Sequence, residues 1–261
     1  MPIFEKHLVY FNPPEKEIGF WNNGEFNTSN LGNTESIEFE DLKRCIGFRD
    51  EKYHHQCRNE AINLRQCPFC GFRDISKIYT RLDLTGYEHM EQEIMNRDYS
   101  VYLAYFGADV IKCGVTQKKR LETRLNEQGA SYWIELMEFS NAQDAYDMER
   151  LLQTNFELKN AVRNSTKLKS MKFLDPSKLQ TIVDRISSTQ PFSEYLVDNL
   201  KINQIKFDIP ENFQVVNYLN GIIKGNKGSI LFFSNNGDNL AIDMNAQIGK
   251  KFRPIQQPVS L

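Results

Sequence analysis

The stretch over residues 99–156 constrains the fold of this chain more than any other part of the sequence. It opens with an apolar, aromatic run over residues 100–107, which is too short for a helix and ends at Gly107. Such a run predicts a buried strand. A second β-rich run over residues 108–116 follows at the spacing of a hairpin with a short loop. The two runs therefore predict a pair of adjacent strands.

The rest of this stretch predicts a helix, a strand and a second helix. Thr116 is placed as an N-cap before a helix over residues 117–128, and Gly129 is suited to end that helix. Residues 132–139 predict a third strand, and residues 142–156 predict an amphipathic helix. The stretch should therefore form a small sheet flanked by helices.

Four of the five cysteines lie within 26 residues of one another: Cys45, Cys57, Cys67 and Cys70. A turn with two residues between cysteines lets both sulfurs face one ion, and four thiolates suit a tetrahedral zinc site. We expect a structural zinc ion, which contributes folding free energy rather than catalysis because a closed site has no open position for a substrate. His54 or His55 could replace Cys45 as the fourth ligand, although an exposed polar turn is the simpler interpretation of both.

The composition is that of an ordinary globular chain. The 261 residues carry a net charge of −2, with 40% hydrophobic and 25% charged residues. A slightly acidic chain does not coat nucleic acid by bulk attraction, so any polyanion site must be local. The sequence shows neither a leader nor a long apolar run, and we expect no membrane partner. A cytoplasmic, reducing location is expected, where cysteines serve as ligands or free thiols.

Two short segments supply local positive charge. One lies at the start of the first core helix, where the helix dipole favours anions. The other, residues 159–172, holds five basic residues and no acidic one, and its pattern predicts a helix with one basic face. A solvated face is the usual explanation of such a run, but the two segments together favour contact with nucleic acid. The residues predicted to make this contact are Lys118, Lys119, Lys159, Arg163, Lys167 and Lys169.

Glu149 is the most informative single residue of the core. It lies at the edge of the apolar stripe of the second helix, where a carboxylate is costly unless something pairs with it. The partner could be a metal ion, or it could be Arg120 or Arg124 from the first helix. Because those two arginines are four residues apart, they share one helix face.

The order strand, strand, helix, strand, helix, with Val101-Tyr102 in the first strand and Lys112-Cys113-Gly114 in the second, resembles the GIY-YIG endonuclease superfamily. The resemblance implies a site built from a tyrosine on each of the first two strands, an arginine on the first helix and a glutamate on the second. Such a site holds one divalent metal ion and cleaves a phosphodiester.

Carried onto this sequence, the resemblance makes Tyr102 the first tyrosine, Arg120 or Arg124 the arginine, and Glu149 the ligand of Mg or Mn. Lys112 stands in place of the second tyrosine, as in superfamily branches with a Lys-Ile-Gly signature. A tyrosine there could assist proton transfer, whereas a lysine must lose its charge before it acts as a base. A charged lysine could still clamp a phosphate.

Most of the chain past about residue 40 also resembles a family of mostly archaeal and bacterial proteins with a domain of unknown function. That family joins a four-cysteine zinc module to a GIY-YIG-like domain and a small C-terminal β segment. The predicted fold class is therefore α+β. We expect a β-rich region over 1–98 with the zinc module at 45–70, an α/β domain over 99–200, and a barrel-like β segment over 201–261. Asn23-Gly24 predicts a hairpin turn in the first of these.

Three functions stay open at this point. The first is a metal-dependent phosphodiesterase, a nuclease with a degenerate second motif. The second is a zinc-containing module that binds DNA or RNA without cleaving it. The third is a modification of RNA or a nucleotide that uses Lys112 or Cys113. The sequence decides neither between DNA and RNA nor the oligomeric state.

Overall fold

The structure, a computed structural model, describes residues 5–255. Its strands are β1 (Lys6–Asn12), β2 (Glu17–Asn22), β3 (Glu25–Asn30), β4 (Thr34–Lys43), β5 (Phe48–Arg49), β6 (His54–His55), β7 (Tyr99–Tyr105), β8 (Ile111–Gln117), β9 (Tyr132–Phe139), β10 (Asn203–Gln204), β11 (Gln214–Val216), β12 (Leu219–Lys227), β13 (Ile230–Asn235), β14 (Asp238–Asp243) and β15 (Lys250–Pro254). Its α-helices are α1 (Pro68–Arg73), α2 (Ser76–Arg81), α3 (Glu91–Met95), α4 (Leu121–Gln128), α5 (Ala142–Asn155), α6 (Asn164–Ser170), α7 (Ser177–Ser187) and α8 (Met244–Gln247).

The mixed content of helices and large sheets confirms the predicted α+β class. The chain divides into two compact units. Unit 1 comprises the described residues up to Lys77 together with those from Asp208 onwards, and unit 2 comprises Ile78–Phe207. None of the helices in the described residues is both long and apolar enough to cross a membrane.

Unit 2 is built on an antiparallel sheet in the order β10-β9-β7-β8. All seven residues of β7 are buried, so both faces of this strand are covered. On one face Val101 and Leu103 pack in a core with α5 and α7. On the other face Tyr102 and Ala104 pack against Leu121 of α4 and its neighbours. The sheet is therefore the middle layer of three.

The predicted elements of the core stretch are present, with one difference at the first helix. Thr116 pairs with Ser100 inside the β7–β8 ladder, so the prediction that it caps a helix was wrong. A short 3-10 turn over Lys118–Arg120 intervenes, and α4 begins at Leu121. The ladder takes up the backbone of Thr116, and this tertiary pairing outweighs the local capping preference. Gly129 ends α4 in a left-handed conformation, as expected.

Unit 1 is built on a nine-stranded sheet in the order β11-β14-β13-β12-β4-β15-β1-β2-β3. Asn23 and Gly24 both have positive φ at the β2–β3 turn, which confirms the predicted hairpin. The sequence predicted a separate barrel-like segment at the C-terminus. The structure instead pairs β12 and β15 with β4, and β15 also with β1. The described strands of this sheet form an open row, with β11 and β3 at its ends.

Phe252 of β15 offers a test of this shared sheet. Its buried ring packs edge-on against Phe20 and lies against Phe39. We expect Phe252→Ala to lower the free energy of unfolding of unit 1 by about 3–5 kcal/mol, the usual cost of removing a buried aromatic ring. Urea unfolding followed by circular dichroism would measure it. Val215→Ala, at an exposed position of β11, should change stability by less than ~0.5 kcal/mol. If Phe252→Ala and Val215→Ala lowered the free energy of unfolding equally, the placement of β15 in this sheet would be contradicted.

Candidate functional site

The four predicted zinc ligands come together in unit 1. The Sγ atoms of Cys45, Cys57, Cys67 and Cys70 all lie within 4.8 Å of one another. The Cys57 and Cys67 sulfurs are 3.8 Å apart, which equals the edge of a tetrahedron whose Zn–S bonds are about 2.3 Å long. All four are free thiols. This cluster can hold a metal ion such as zinc.

Hydrogen bonds to sulfur favour the thiolate form that a metal requires. The amide of Cys67 donates to the sulfur of Cys45 over 3.2 Å. Burial alone raises the pKa of Cys67, but hydrogen bonds from the Cys70 amide and the neighbouring thiols outweigh it and lower this pKa to about 7. Burial raises the pKa values of Cys45 and Cys70 instead, so the suitability of the cluster for a divalent, thiophilic ion rests on its four sulfurs and their spacing.

A tight loop holds the first ligand in place. Gly47 has a φ of +86°, and a Cβ at this position would lie 1.9 Å from the carbonyl oxygen of His55, so only glycine allows the two segments to approach so closely. The buried carboxylate of Asp74 accepts hydrogen bonds from the Arg49 amide (3.2 Å) and from Gln66 Nε2 (2.8 Å). These contacts fix the segments that carry the cysteines.

The two histidines considered as ligands are engaged elsewhere. His55 Nε2 lies 2.7 Å from a carboxylate oxygen of Asp50, and its ring stacks on Phe48. His54 stacks on Phe26 with ring centroids 3.9 Å apart. Since Cys45 lies in the cluster, the structure places four thiolates and no imidazole at the metal position.

In unit 2, Tyr102 is the buried centre of the second candidate site. Its side chain is fully buried, and its hydroxyl accepts a hydrogen bond of 2.7 Å from Gln128 Nε2. Burial raises the pKa of Tyr102 to about 12, and the opposing effects of Arg124 and Gln128 are smaller. The phenol therefore stays protonated at neutral pH.

Gly114 makes room for this ring. Gly114 is paired with Tyr102 across the β7–β8 ladder, and a Cβ at Gly114 would lie 2.6 Å from the hydroxyl oxygen of Tyr102. Any larger residue would displace the ring. The glycine of the Lys112-Cys113-Gly114 motif thus has a steric role in the position of the phenol.

Arg124 and Glu149 affect the pKa of Tyr102, and the same two residues affect the pKa of Lys112. Burial lowers the pKa of Lys112 to about 8; nearby Arg124 adds to this effect, and Glu149 opposes it. Burial raises the pKa of Glu149, while Lys112, Arg150 and Gln153 favour its charged form. The four predicted positions on two strands and two helices therefore form one electrostatically coupled group.

The two helix arginines share one carboxylate. Arg120 Nη2 lies 2.9 Å from Glu127 Oε1, and Arg124 Nη1 lies 3.1 Å from Glu127 Oε2. This confirms that they occupy one face of the helical region. Arg124 also affects the pKa values of Tyr102 and Lys112, which makes it the stronger candidate of the two arginines.

Glu149 is half-buried, and none of the ion pairs among the described residues includes it, although Lys112 and Arg150 favour its charged form. The sequence left a choice between a metal ligand and a structural ion pair with an arginine. Both arginines pair with Glu127 instead, so neither forms an ion pair with Glu149, and a metal ion at Glu149 stays a prediction.

Cys113 lies on the other face of the sheet, within the α5 core. It is fully buried, and this burial raises the pKa of its thiol well above the usual range. The thiol is therefore protonated and packs as a small apolar side chain.

Five of the six residues predicted to contact nucleic acid are exposed, and one is not. Lys118, which pairs with Glu138 over 2.5 Å, is exposed, as are the other four. Lys167 is buried instead: its ammonium donates to the carbonyl of Gln128 over 2.7 Å and lies above the ring of Phe106. This lysine anchors α6, and its burial argues against a contact with phosphate. The exposed members are Lys118, Lys119, Lys159, Arg163 and Lys169.

The basic segment is less helical than predicted. Only Asn164–Ser170 forms a helix, because the backbone of Lys159 pairs with β8. The Cys113 amide donates to the carbonyl of Lys159 over 3.1 Å. The segment therefore covers the outer edge of β8, the strand that carries Lys112.

Two residues of this site were not predicted from the sequence. Gln128 lies four residues after Arg124 and so shares its helix face, and Glu127 completes the pair of arginine contacts. The helical spacing was available in the sequence, but the depth of Tyr102, which gives Gln128 its partner, was not. The Oε1 atom of Gln128 is buried without a hydrogen-bond partner among the described residues.

The chain matches the model of the family described as "Protein of unknown function (DUF2797)" over residues 32–250, and it belongs to this family. No curated protein and no solved structure matches the chain. The match spans both the cysteine cluster and the Tyr102 site.

The cysteine cluster provides a direct test of metal binding. We expect the purified chain to carry about one zinc ion, and Cys67→Ser to lose it and to unfold at a lower temperature, since metal binding contributes folding free energy. Elemental analysis and thermal unfolding would measure both. Cys113→Ala, which removes the one cysteine outside the cluster, should leave the zinc content unchanged. Retention of zinc by the Cys67 variant would contradict the assignment.

Proposed function

We propose that unit 2 of this DUF2797 family member is a metal-dependent phosphodiesterase that acts on nucleic acid. The observation that carries the proposal is the convergence of Tyr102, Lys112, Arg124 and Glu149 on one electrostatically coupled group. These are the positions that the resemblance to the GIY-YIG superfamily assigns to catalysis. The order β7, β8, α4, β9, α5 supports the same resemblance.

Glu149 is the residue that would hold the divalent ion. Mg²⁺ and Mn²⁺ prefer carboxylate oxygen, and Mg²⁺ commonly uses one or two protein carboxylates together with water and substrate phosphate. A shielded carboxylate without a described ion-pair partner suits this requirement. When bound, such an ion would act as a Lewis acid toward a phosphoryl oxygen.

The remaining side chains have separate roles in the proposed reaction. Arg124 binds the phosphate and stabilises the charge that develops on its oxygens. Lys112, with its pKa lowered to about 8, accepts a proton from the attacking water when it is neutral. Tyr102 keeps its own proton; because it is fully buried and its oxygen accepts from Gln128, it would position α4, the helix that carries Arg124, rather than contact the substrate.

The exposed basic residues would bring the polyanion to this site. Lys159 and the β8 strand that carries Lys112 are joined by backbone pairing, so the phosphate chain would reach the site along this edge. Lys118 and Lys119 lie in the turn before α4, the helix that carries Arg124. We expect a reducing compartment, because the cysteine cluster requires free thiols.

A second candidate is a binding module that lost hydrolysis along with the second tyrosine. It is favoured by the two ion pairs of Glu127, which already occupy Arg120 and Arg124. In this case nucleic acid would bind in a salt-sensitive manner without being cleaved. A reaction through the Cys113 thiol is disfavoured by its complete burial, which leaves Lys112 as the residue for any modification chemistry.

Glu149→Gln is the decisive substitution. Incubation with labelled single-stranded, duplex and branched DNA and with structured RNA, in Mg²⁺ or Mn²⁺, should show a loss of cleavage of ~100-fold or more, since the amide is a poor ligand for the ion. The free energy of unfolding should not fall, because removing a shielded charge relieves a desolvation cost.

Asp147→Asn is the matched control on the same helix, since Asp147 is exposed and pairs with Arg150. It should cleave within about two-fold of the original rate. Salt-sensitive binding without cleavage by the unmodified chain would instead support the binding module. If the unmodified chain shows no cleavage and Glu149→Gln lowers the free energy of unfolding, the role of Glu149 is structural.

The pH dependence of cleavage tests the role of Lys112. A general base must be neutral, and the pKa of Lys112 is lowered to about 8. The rate should therefore rise by ~10-fold per pH unit below about pH 8 and level off above it. Lys112→Met should be slow and lack this dependence. A rate that falls as the pH rises through 8 would assign Lys112 to the charged role of a phosphate clamp.

A further inference from the structure

The cysteine module of unit 1 exposes apolar side chains to an unusual extent. Twelve large apolar residues of the described chain are exposed, and five of them fall between Tyr53 and Phe72. Apolar residues that are exposed singly need no explanation, whereas a contiguous exposed patch marks an interaction surface. The five are Tyr53, Ile62, Leu64, Phe69 and Phe72.

Two of these residues share one face of a short helix. Phe69 and Phe72 are three residues apart on α1, the helix that begins within the Cys-Pro-Phe-Cys turn. Their exposed fractions are 44% and 60%, whereas Cys70 between them is buried. Cys70 thus faces the buried cysteine cluster, whereas both rings are exposed to solvent.

Each ring has a cation against it. The guanidinium of Arg73 lies 3.7 Å from the centroid of Phe69, and the ammonium of Lys77 lies 4.6 Å from the centroid of Phe72. Lys77 is buried and also donates to the carbonyl of Phe72 over 2.8 Å, so it holds the ring of Phe72 from the inner side. The exposure of that ring leaves its outer side accessible.

The local charge of the module is slightly positive. Residues 44–77 contain seven lysines and arginines against four aspartates and glutamates, although the whole chain is slightly acidic. One of the acidic residues, Asp74, is buried and hydrogen-bonded within the module. The segment remains net positive after the two negative charges of a four-thiolate zinc centre are counted. An apolar protein partner would bury the cations beside the rings at a cost in desolvation.

We propose that the Phe69–Phe72 face of the cysteine module binds unpaired nucleotides of a single-stranded nucleic acid by stacking bases on the two rings. Phosphates of the same strand contact Arg73, which is exposed beside the Phe69 ring. Exposed aromatic rings beside cations are the arrangement that single-strand binding requires. A duplex keeps its bases stacked internally, so this face discriminates in favour of unpaired segments. The inference shares with the proposed function only the class of partner.

The test measures binding and cleavage separately. A fluorescent twelve-nucleotide oligothymidylate and a matched duplex are titrated with the full chain in buffer without Mg²⁺ or Mn²⁺, so that the strand stays intact. We expect Phe72→Ala to weaken single-strand binding by about ten-fold or more. Phe72→Leu, which keeps an apolar side chain but removes the ring face, should be weakened similarly. Zinc content and thermal unfolding confirm that each variant is folded.

Tyr195→Ala is the control, since Tyr195 is an exposed aromatic residue of unit 2, and it should bind like the original chain. Three results overturn the inference: no single-strand binding by the unmodified chain, equal affinity of Phe72→Ala, or full affinity of Phe72→Leu. Full affinity of the leucine variant would indicate an apolar partner surface.

Cleavage in Mg²⁺ is then compared among the same proteins and Glu149→Gln. Loss of binding in the Phe72 variants without any cleavage by the original chain leaves this inference standing and refutes the proposed function. If instead cleavage depends on Glu149 and the Phe72 variants bind the single strand as tightly as the original chain, the proposed function stands and this inference is refuted.

Discussion

The burial of β7 on both faces is the constraint on which unit 2 depends. Every residue of this strand is buried, so the strand must have a sheet neighbour on each side and a helical layer on each face. β8 and β9 provide the neighbours, and α4 and α5 provide the nearest covers. The phenol of Tyr102 is drawn into this interior because it belongs to the strand, and its hydroxyl then needs a partner, which Gln128 supplies.

The position of β8 explains why charged groups can gather beside such an apolar centre. β8 lies at the end of the four-stranded order, and Lys112 on this strand and Glu149 on α5 affect each other's pKa values. At this edge the low dielectric of the core and the proximity of opposite charges act on the same residues. The balance leaves Lys112 with a pKa near 8 and Tyr102 protonated. Both protonation states follow from the architecture rather than from the residue types alone.

The sequence was sufficient wherever the determining interactions are local. The apolar run of β7, the left-handed glycine after α4 and the Asn23-Gly24 turn each act within a few residues, and each was placed correctly. The four cysteines, spread over 26 residues, were recognised from their spacing. Lys167 shows the limit: its neighbours in sequence predict a solvated basic face, but its ammonium is satisfied by a carbonyl 39 residues away. The pairing of β4 with β12 and β15 is longer in range still. The hydrophobic periodicity of a segment predicts that it forms a strand, but it does not show which distant strand pairs with it.

The discontinuity of unit 1 has a consequence for the order in which the molecule is made. β4 ends at Lys43 and its partners begin at Leu219 and Lys250, whereas all of unit 2 lies between them. During synthesis, which proceeds from the N-terminus, unit 2 can complete its own core while β4 still lacks both neighbours. Until β12 and β15 have been synthesised, the backbone groups of β4 stay unpaired, and the apolar side chains of the N-terminal strands stay exposed to solvent. The rate-limiting step in folding of unit 1 should therefore be the closure of the long loop between β4 and β12, rather than the formation of any single strand. Until that step is complete, the nascent protein exposes strand edges that can aggregate.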